Sequence, residues 1–247
     1  MANGPHGVHS PLVYELLTQG LSKDRHYYSF DAIEKERNDF LQREDSILVH
    51  DFGAGSRKMK SSSRRIKDIA AHSLQPFSEA QALFRLVNYF KPKTILELGT
   101  SLGITTSYLA SADTKANVIT IEGSPAIASE ASALFGRLGH SNVEIVTGNF
   151  NETLDPVLRS LTTIDFILLD GNHRYEPTLN YFNSCLSKIN EQSVIVIDDI
   201  YWSAGMNQAW REISADSRVT LSLDFFHFGV VLFRTGREKE HFRLRLP

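Results

Sequence analysis

Thr94-Ile95-Leu96-Glu97-Leu98-Gly99-Thr100-Ser101-Leu102-Gly103-Ile104-Thr105-Thr106 is an apolar run that breaks at two glycines and resumes with helical spacing. Its first five residues have the length and branching of a buried strand. The glycines permit a sharp turn and a close backbone approach, and residues 105–110 suit a helix. A strand, a glycine loop and a helix in this order open a parallel sheet whose ligands bind beyond the carboxyl ends of its strands. Further on, residues 118–121, 143–146, 164–169 and 194–197 repeat the strand pattern, with residues 124–138, 150–160 and 178–189 as crossover helices between them. After a helix around 205–214, residues 219–224 and 229–233 lie too close for a crossover, so a hairpin is expected. The reading is an α/β fold: a seven-stranded, mostly parallel sheet with helices on both faces and a terminal antiparallel hairpin.

Upstream, residues 11–21 and 31–39 read as helices, the first with Ser10 as cap and Pro11 at its first position. Residues 79–89 are amphipathic and lead into the first strand. The expected organisation is a helical N-terminal extension or lid over 1–75 and one domain over 76–247. A chain of 247 residues with 42% hydrophobic and 22% charged residues can bury a sizeable core. Its net charge of −3 gives no global pull toward nucleic acid or an anionic membrane. No apolar run approaches the ~18 residues of a membrane span, and no leader pattern opens the chain; a cytoplasmic protein is expected. Cys185, the one cysteine, cannot form an internal disulfide and reads as a small buried apolar residue.

Three other stretches stand out. Residues 57–67 hold six cations among serines, which reads as a solvated loop or, more sharply, as a lid or docking surface for an anionic substrate. Asp51-Phe52-Gly53-Ala54-Gly55-Ser56 imitates a glycine loop, but the cationic stretch follows it, and it is read as a turn or substrate-side loop. The run Pro5-His6-Gly7-Val8-His9-Ser10-Pro11 is distinctive without pointing to a chemistry.

The chemistry-bearing residues fall at the ends of the expected strands. Ser101 stands where the dinucleotide fingerprint needs its second glycine, which disfavours a pyrophosphate cradle and with it an NAD-dependent dehydrogenase. Glu122 ends the second strand roughly twenty residues after the loop, where a carboxylate can accept ribose hydroxyls. Thr147-Gly148-Asn149-Phe150 ends the third, with polar and aromatic groups suited to face an adenine. Asp170-Gly171-Asn172-His173 follows the fourth strand and Asp198-Asp199 the fifth. If those two strands are neighbours, three carboxylates converge beside the glycine loop. Unpaired they repel one another, and a hard divalent cation with oxygen ligands is the natural resolution.

These features resemble the class I S-adenosylmethionine-dependent methyltransferases, with a Rossmann-like sheet, over roughly residues 75–235. Glu97-x-Gly99-x-x-x-Gly103 is similar to their first motif. Within that class the acids resemble the metal-dependent O-methyltransferases related to catechol and caffeoyl-CoA methyltransferases. His173 stands where catechol methyltransferases keep a lysine, and Asp-Gly-x-His is similar to metal-dependent sugar O-methyltransferases that use histidine. The resemblance implies S-adenosylmethionine bound by Glu97, Gly99, Thr100, Ser101, Gly103, Glu122, Gly123, Asn149, Phe150 and Asp170. It also implies a divalent cation, Mg²⁺ by preference, on Asp170, Asp198 and Asp199. His173 is the expected base, an imidazole having a reference pKa near ~6.5. The expected reaction is O-methylation of a small hydroxylated, diol- or catechol-like substrate, with a homodimer as one expectation for assembly. Tyr201 and Trp202 are candidate pocket walls, and Met206 and Trp210 read as core. The rival readings are an RNA methyltransferase using residues 57–67 and a non-catalytic nucleoside-binding protein on the same fold. No Asn/Asp-Pro-Pro-aromatic run follows the fourth strand, which counts against methylation of a base nitrogen.

Overall fold

The structure is a computed structural model that describes residues 9–49 and 63–247. Residues 5–8 of the histidine-containing run, the 51–56 glycine stretch and the cations at 57, 58 and 60 lie outside the described residues. The chain enters with α1 (Pro11–Glu15), which continues through a π-helical turn to Gly20. Pro11 takes the first helical position, but the Ser10 hydroxyl at the N-cap makes no capping bond. Then come α2 (Tyr28–Gln42), the short antiparallel pair β1 (Ser46–Leu48) and β2 (Ser63–Arg65), α3 (Ile66–Ser73) and α4 (Phe77–Phe90). In this pair and the helix after it, Arg65 bonds Asp68 and Glu44, and Lys67 bonds Glu44, so these two cations of the basic stretch are matched by acids.

From Thr94 the expected alternation holds: β3 (Thr94–Leu98), α5 (Ile104–Ala112), β4 (Asn117–Glu122), α6 (Pro125–Leu138), β5 (Val143–Thr147), α7 (Phe150–Ser160), β6 (Phe166–Leu169), α8 (Tyr175–Cys185), β7 (Val194–Asp198), α9 (Ala204–Ala215) and the hairpin β8 (Leu221–Asp224) and β9 (Phe228–Leu232). An eighth strand, β10 (Glu240–Arg243), was not expected. It pairs parallel to β8, and the sheet order is β10-β8-β9-β7-β6-β3-β4-β5, with β9 alone running against the rest. The sequence Glu-His-Phe-Arg offers one apolar side chain and little strand signal. It is held as an edge strand by backbone pairing, with its residues alternately half-buried and exposed.

Strands β3, β6 and β7 are buried on both faces, as their continuous Val/Ile/Leu content requires. Alternate residues serve opposite faces. Ile95, Phe166, Leu168, Val194 and Val196 join one core with Val13, Leu16, Phe30, Ile33, Phe40 and Leu83. Leu96, Leu98, Ile167, Leu169, Ile195 and Ile197 join the other with Phe182, Met206 and Trp210. The N-terminal helices thus complete one face of the sheet. Cys185 is fully buried in the second core and its thiol is pushed up to about 12 by that burial. The chain runs from β3 outward to β5 and then returns to β6 on the other side of β3. The crevice at the carboxyl ends of β3 and β6 is therefore the switch point where such sheets bind ligands.

Candidate active site

Gly99 follows β3 and Asp170 follows β6, so both stand at that switch point. Gly99 has φ +107°, and a Cβ placed there would lie 2.0 Å from the Asp170 carbonyl oxygen. Only glycine fits, because the two loops touch backbone to backbone. Ser101, at φ +49°, donates its N–H to Glu122 Oε2 at 2.9 Å and shares a 2.8 Å hydroxyl hydrogen bond with Ser73 of α3. Gly103, at φ +83°, caps α5, its N–H donating to Thr100 O at 2.9 Å. Thr100 itself is buried, with its hydroxyl 2.6 Å from that of Thr120.

The expected cofactor residues thus divide between the crevice surface and the scaffold beneath it. Glu122 accepts from the Ser101 and Ser124 N–H groups, which orients the carboxylate against the loop, and half-buried Gly123 stands between Glu122 and Ser124. Asn149 caps α7 through a bond from the Asn151 N–H. Phe150 meets Tyr181 edge-on at 5.5 Å and supports the acid loop, where a Cβ on Gly171 would lie 2.5 Å from its ring. Glu97 is wholly buried: the Thr106 and Thr120 hydroxyls donate to its Oε2 at 2.5 and 2.6 Å, and its Oε1 has no partner.

Burial is the main cause that lifts Glu97 to about 7, against the two threonine bonds and with a smaller push from Glu122. A carboxyl raised in the folded state contributes stability that is complete below its ordinary 4.5 and is lost as pH rises through about 7. We expect Glu97→Gln, which keeps an acceptor for both hydroxyls, to remove a loss on the order of 3 kcal/mol across that window. Denaturant unfolding of the ligand-free protein at pH 5 and pH 8 checks this. An unchanged difference between the two pH values in the variant would remove Glu97 as its source.

Leu169 of β6 pairs with Ile197 of β7, so Asp170 and Asp198 emerge side by side. Both are pushed up, first by burial and then by neighbouring negative charge, and a hydrogen bond links their side chains. Asp199 adds to the repulsion from a backbone at φ +53°. The His173 ring stands between acids, Nε2 at 3.6 Å from Asp170 Oδ1 and Nδ1 at 3.8 Å from Asp199 Oδ2. Asn172, also left-handed at φ +61°, makes the turn that presents it, and its amide donates to the Tyr181 hydroxyl at 3.2 Å. Asn and Asp are the side chains that tolerate this conformation best. Among the described residues no three His, Cys, Asp or Glu side chains are gathered as a metal cage. The expected ligands are brought to one crevice without being drawn around one point.

Two buried side chains that the sequence reading did not single out face this cluster. Gln75 hydrogen bonds with Asp198. Glu79 of α4 is pushed up to about 7, by burial first and by Asp199 second, and lies 3.4 Å from His227 Nδ1. The available signal was a charge on the apolar stripe of an amphipathic helix, since Glu79 is buried together with Ala82, Leu83 and Leu86. Tyr201 donates its hydroxyl to Asp224 at 2.6 Å and stacks on Phe226 at 5.4 Å, while Trp202 is exposed. Met206 and Trp210 are core.

Residues 96–200 match a family model described as a methyltransferase domain, which spans β3 to β7 and the acids that follow it. The fold is shared with the O-methyltransferase of Bacillus cereus in complex with S-adenosylhomocysteine, at TM-score 0.61 and 19% identity over 89% of this chain and 96% of that one. TomG of Streptomyces achromogenes, an O-methyltransferase involved in tomaymycin synthesis and solved with S-adenosylmethionine, gives 0.61 and 16% over 90% and 95%. A caffeoyl-CoA O-methyltransferase assignment accompanies a Staphylococcus aureus structure at 0.59 and 15% over 67% and 88%. An uncharacterized protein of Acanthamoeba polyphaga mimivirus is 36% identical over 81 residues, which are 31% of this chain and 37% of the length of that relative.

Proposed function

We propose that this chain, an enzyme whose residues 96–200 form a class I methyltransferase domain, transfers the methyl group of S-adenosylmethionine to an oxygen of a small hydroxylated substrate with the help of a divalent cation. The observation that carries the reading is the convergence of Asp170, Asp198, Asp199 and His173 at the switch point, with Gly99 packed directly on Asp170. S-adenosylmethionine supplies a methyl group already activated on a sulfonium. The unpartnered Glu97 Oε1 beneath the glycine loop and the oriented Glu122 carboxylate fit a cationic, ribose-bearing ligand.

The donor chemistry likewise fits a hard cation. Asp170 and Asp198 are carboxyls raised first by burial and then by negative charge, Asp170 by Asp198 and Asp198 by Asp199, and positive charge among the three would relieve that repulsion. Asp170, Asp198 and Asp199 would hold it, and it would supply Lewis acidity toward a substrate hydroxyl. Within the chain, His173 accepts the proton of that hydroxyl on a ring nitrogen as the oxygen becomes nucleophilic. The glycine loop and Glu122 hold the donor, Tyr201 and Trp202 bound the acceptor side, and alignment provides much of the acceleration.

The test is transfer of labelled methyl from S-adenosylmethionine to a panel of vicinal diols and catechols, before and after chelation. Chelator should lower turnover on the order of 10²-fold, with recovery on adding Mg²⁺. Turnover that survives complete metal removal and Asp170→Asn would sink the metal role. S-adenosylhomocysteine binding without transfer to any hydroxylated compound would sink the reaction.

A further inference from the structure

Beside the acids lies a cavity of about 430 Å³, walled by α4, the β8–β9 turn and the segment that follows β10. Its size is that of a small-molecule site. The wall adjoins the acid cluster: the N–H of Ile200, next after Asp199, donates to the carbonyl of the wall residue His227 at 3.3 Å, and Glu79 of the same wall lies 3.4 Å from the His227 ring. Phe225, Phe226, Ala82 and Leu244 give the cavity an apolar lining. Phe226 is held at φ +74°, 62% exposed and stacked on Tyr201, an arrangement strained for an aromatic residue.

Four cations also line the cavity: Lys23, Arg85, Arg243 and Arg245. Arg243 is balanced by buried Asp224 at 3.2 Å. Arg85 is only 4% exposed, yet its guanidinium donates to neutral oxygens alone: the carbonyls of Ser22, Gln81 and Arg25 and the Gln81 amide. A guanidinium has five N–H donors, and these four bonds leave at least one over. The Phe30 ring lies 5.3 Å from Arg85 Cζ and offers partial compensation. No carboxylate pairs with Arg85, Lys23 or Arg245 among the described residues. Glu79 does not supply the missing charge, its carboxyl lying against His227 at 3.4 Å. A buried cation without a counter-charge is costly, and a ligand anion removes the cost.

We infer that this cavity anchors the methyl acceptor, and that the acceptor is a compact carboxylic acid whose carboxylate sits on Arg85, Lys23 and Arg245 while its apolar body lies against Phe225 and Phe226. The inference rests on the transfer reading above, because it places the hydroxylated end of the acceptor at the acids beyond Glu79. The acids then handle the hydroxyl, and the cations hold the opposite end away from that negative centre. A single buried guanidinium in an apolar lining suits a monoanion better than a polyphosphate.

The probe is 3-(3,4-dihydroxyphenyl)propanoate against its primary amide, of the same shape without the charge. Each is titrated calorimetrically into the full chain with S-adenosylhomocysteine and Mg²⁺ present. The acid should bind roughly tenfold tighter or more, and Arg85→Gln should collapse that ratio toward one. Should Arg85→Gln melt in the absence of ligand, the rim variant Lys23→Gln/Arg245→Gln carries the test, with a ratio reduced about threefold expected. Equal affinities for acid and amide, weak binding of both, or an unchanged ratio in folded Arg85→Gln overturns the pocket. A tight acid, a weak amide and no methyl transfer would leave the pocket standing and overturn the transfer reading instead. Transfer to neutral diols with equal affinities does the reverse.

Discussion

Gly99→Ala is expected to cost on the order of 4 kcal/mol and to abolish cofactor binding, while Gly139→Ala costs about 1 kcal/mol. Both glycines have positive φ, +107° and +72°, so both substitutions place a side chain in strained backbone. They differ in what the new carbon meets. At Gly139, the C-cap of α6, nothing lies within 4 Å. At Gly99 the carbon would lie 2.0 Å from the Asp170 carbonyl oxygen and 2.8 Å from its carbon, and both are backbone atoms. Backbone cannot rotate aside as a side chain can, so β3 and β6 must separate where Asp170 N–H donates to Leu98 O at 2.9 Å. Chemical denaturation of the two variants beside the parent measures the contrast, and calorimetry with S-adenosylhomocysteine measures the binding loss. Equal destabilisation would show that the loop-to-loop contact contributes nothing beyond the backbone angle.

The second large effect is on turnover. His173→Ala should lower kcat by about 10²–10⁴-fold, with S-adenosylhomocysteine affinity within about twofold of the parent. The ring is not part of the core: its side chain is 24% exposed and lies beyond hydrogen-bonding distance of both Asp170 and Asp199. It is presented by the left-handed Asn172 turn, which the substitution leaves in place. The glycine loop touches Asp170 through its backbone, not through the imidazole. Single-turnover transfer with saturating donor separates the two quantities. A parallel fall in donor affinity would make His173 a scaffold residue and end its assignment as base.

Much of this site could be read from strand ends. Asp170 and Asp198 stand at the ends of successive apolar runs, which makes each legible as a strand-end acid; that β6 and β7 are neighbours, as β5 and β6 are not, comes from the sheet order. The glycines at 99 and 103 were equally legible, though the reason for Gly99 was not: a contact with residue 170 is invisible in a local pattern. Glu97 stands in a motif position, but its alternation in β3 buries it among Thr106 and Thr120 and makes it a support under the loop. Long-range partners account for most of what was missed. Glu79 and Arg85 sit inside an amphipathic helix whose period is otherwise unbroken, and only the packing of α4 near Asp199 and the loop at Ser22 gives each a surrounding. β10 went unread because an edge strand needs backbone partners more than apolar side chains.

That late strand also decides what the β8 side of the sheet presents at its edge. β8 is buried on all four residues, and without a neighbour on its outer side it would offer a row of open amide and carbonyl groups beside apolar side chains, a template for sheet growth between molecules. β10 closes that row and replaces it with an edge bearing Glu240, His241 and Arg243, of which the last two are exposed. Charges along an outer strand discourage a further strand from docking. The outer edge of β8 is thus closed by four residues that carry almost none of the fold's apolar burial.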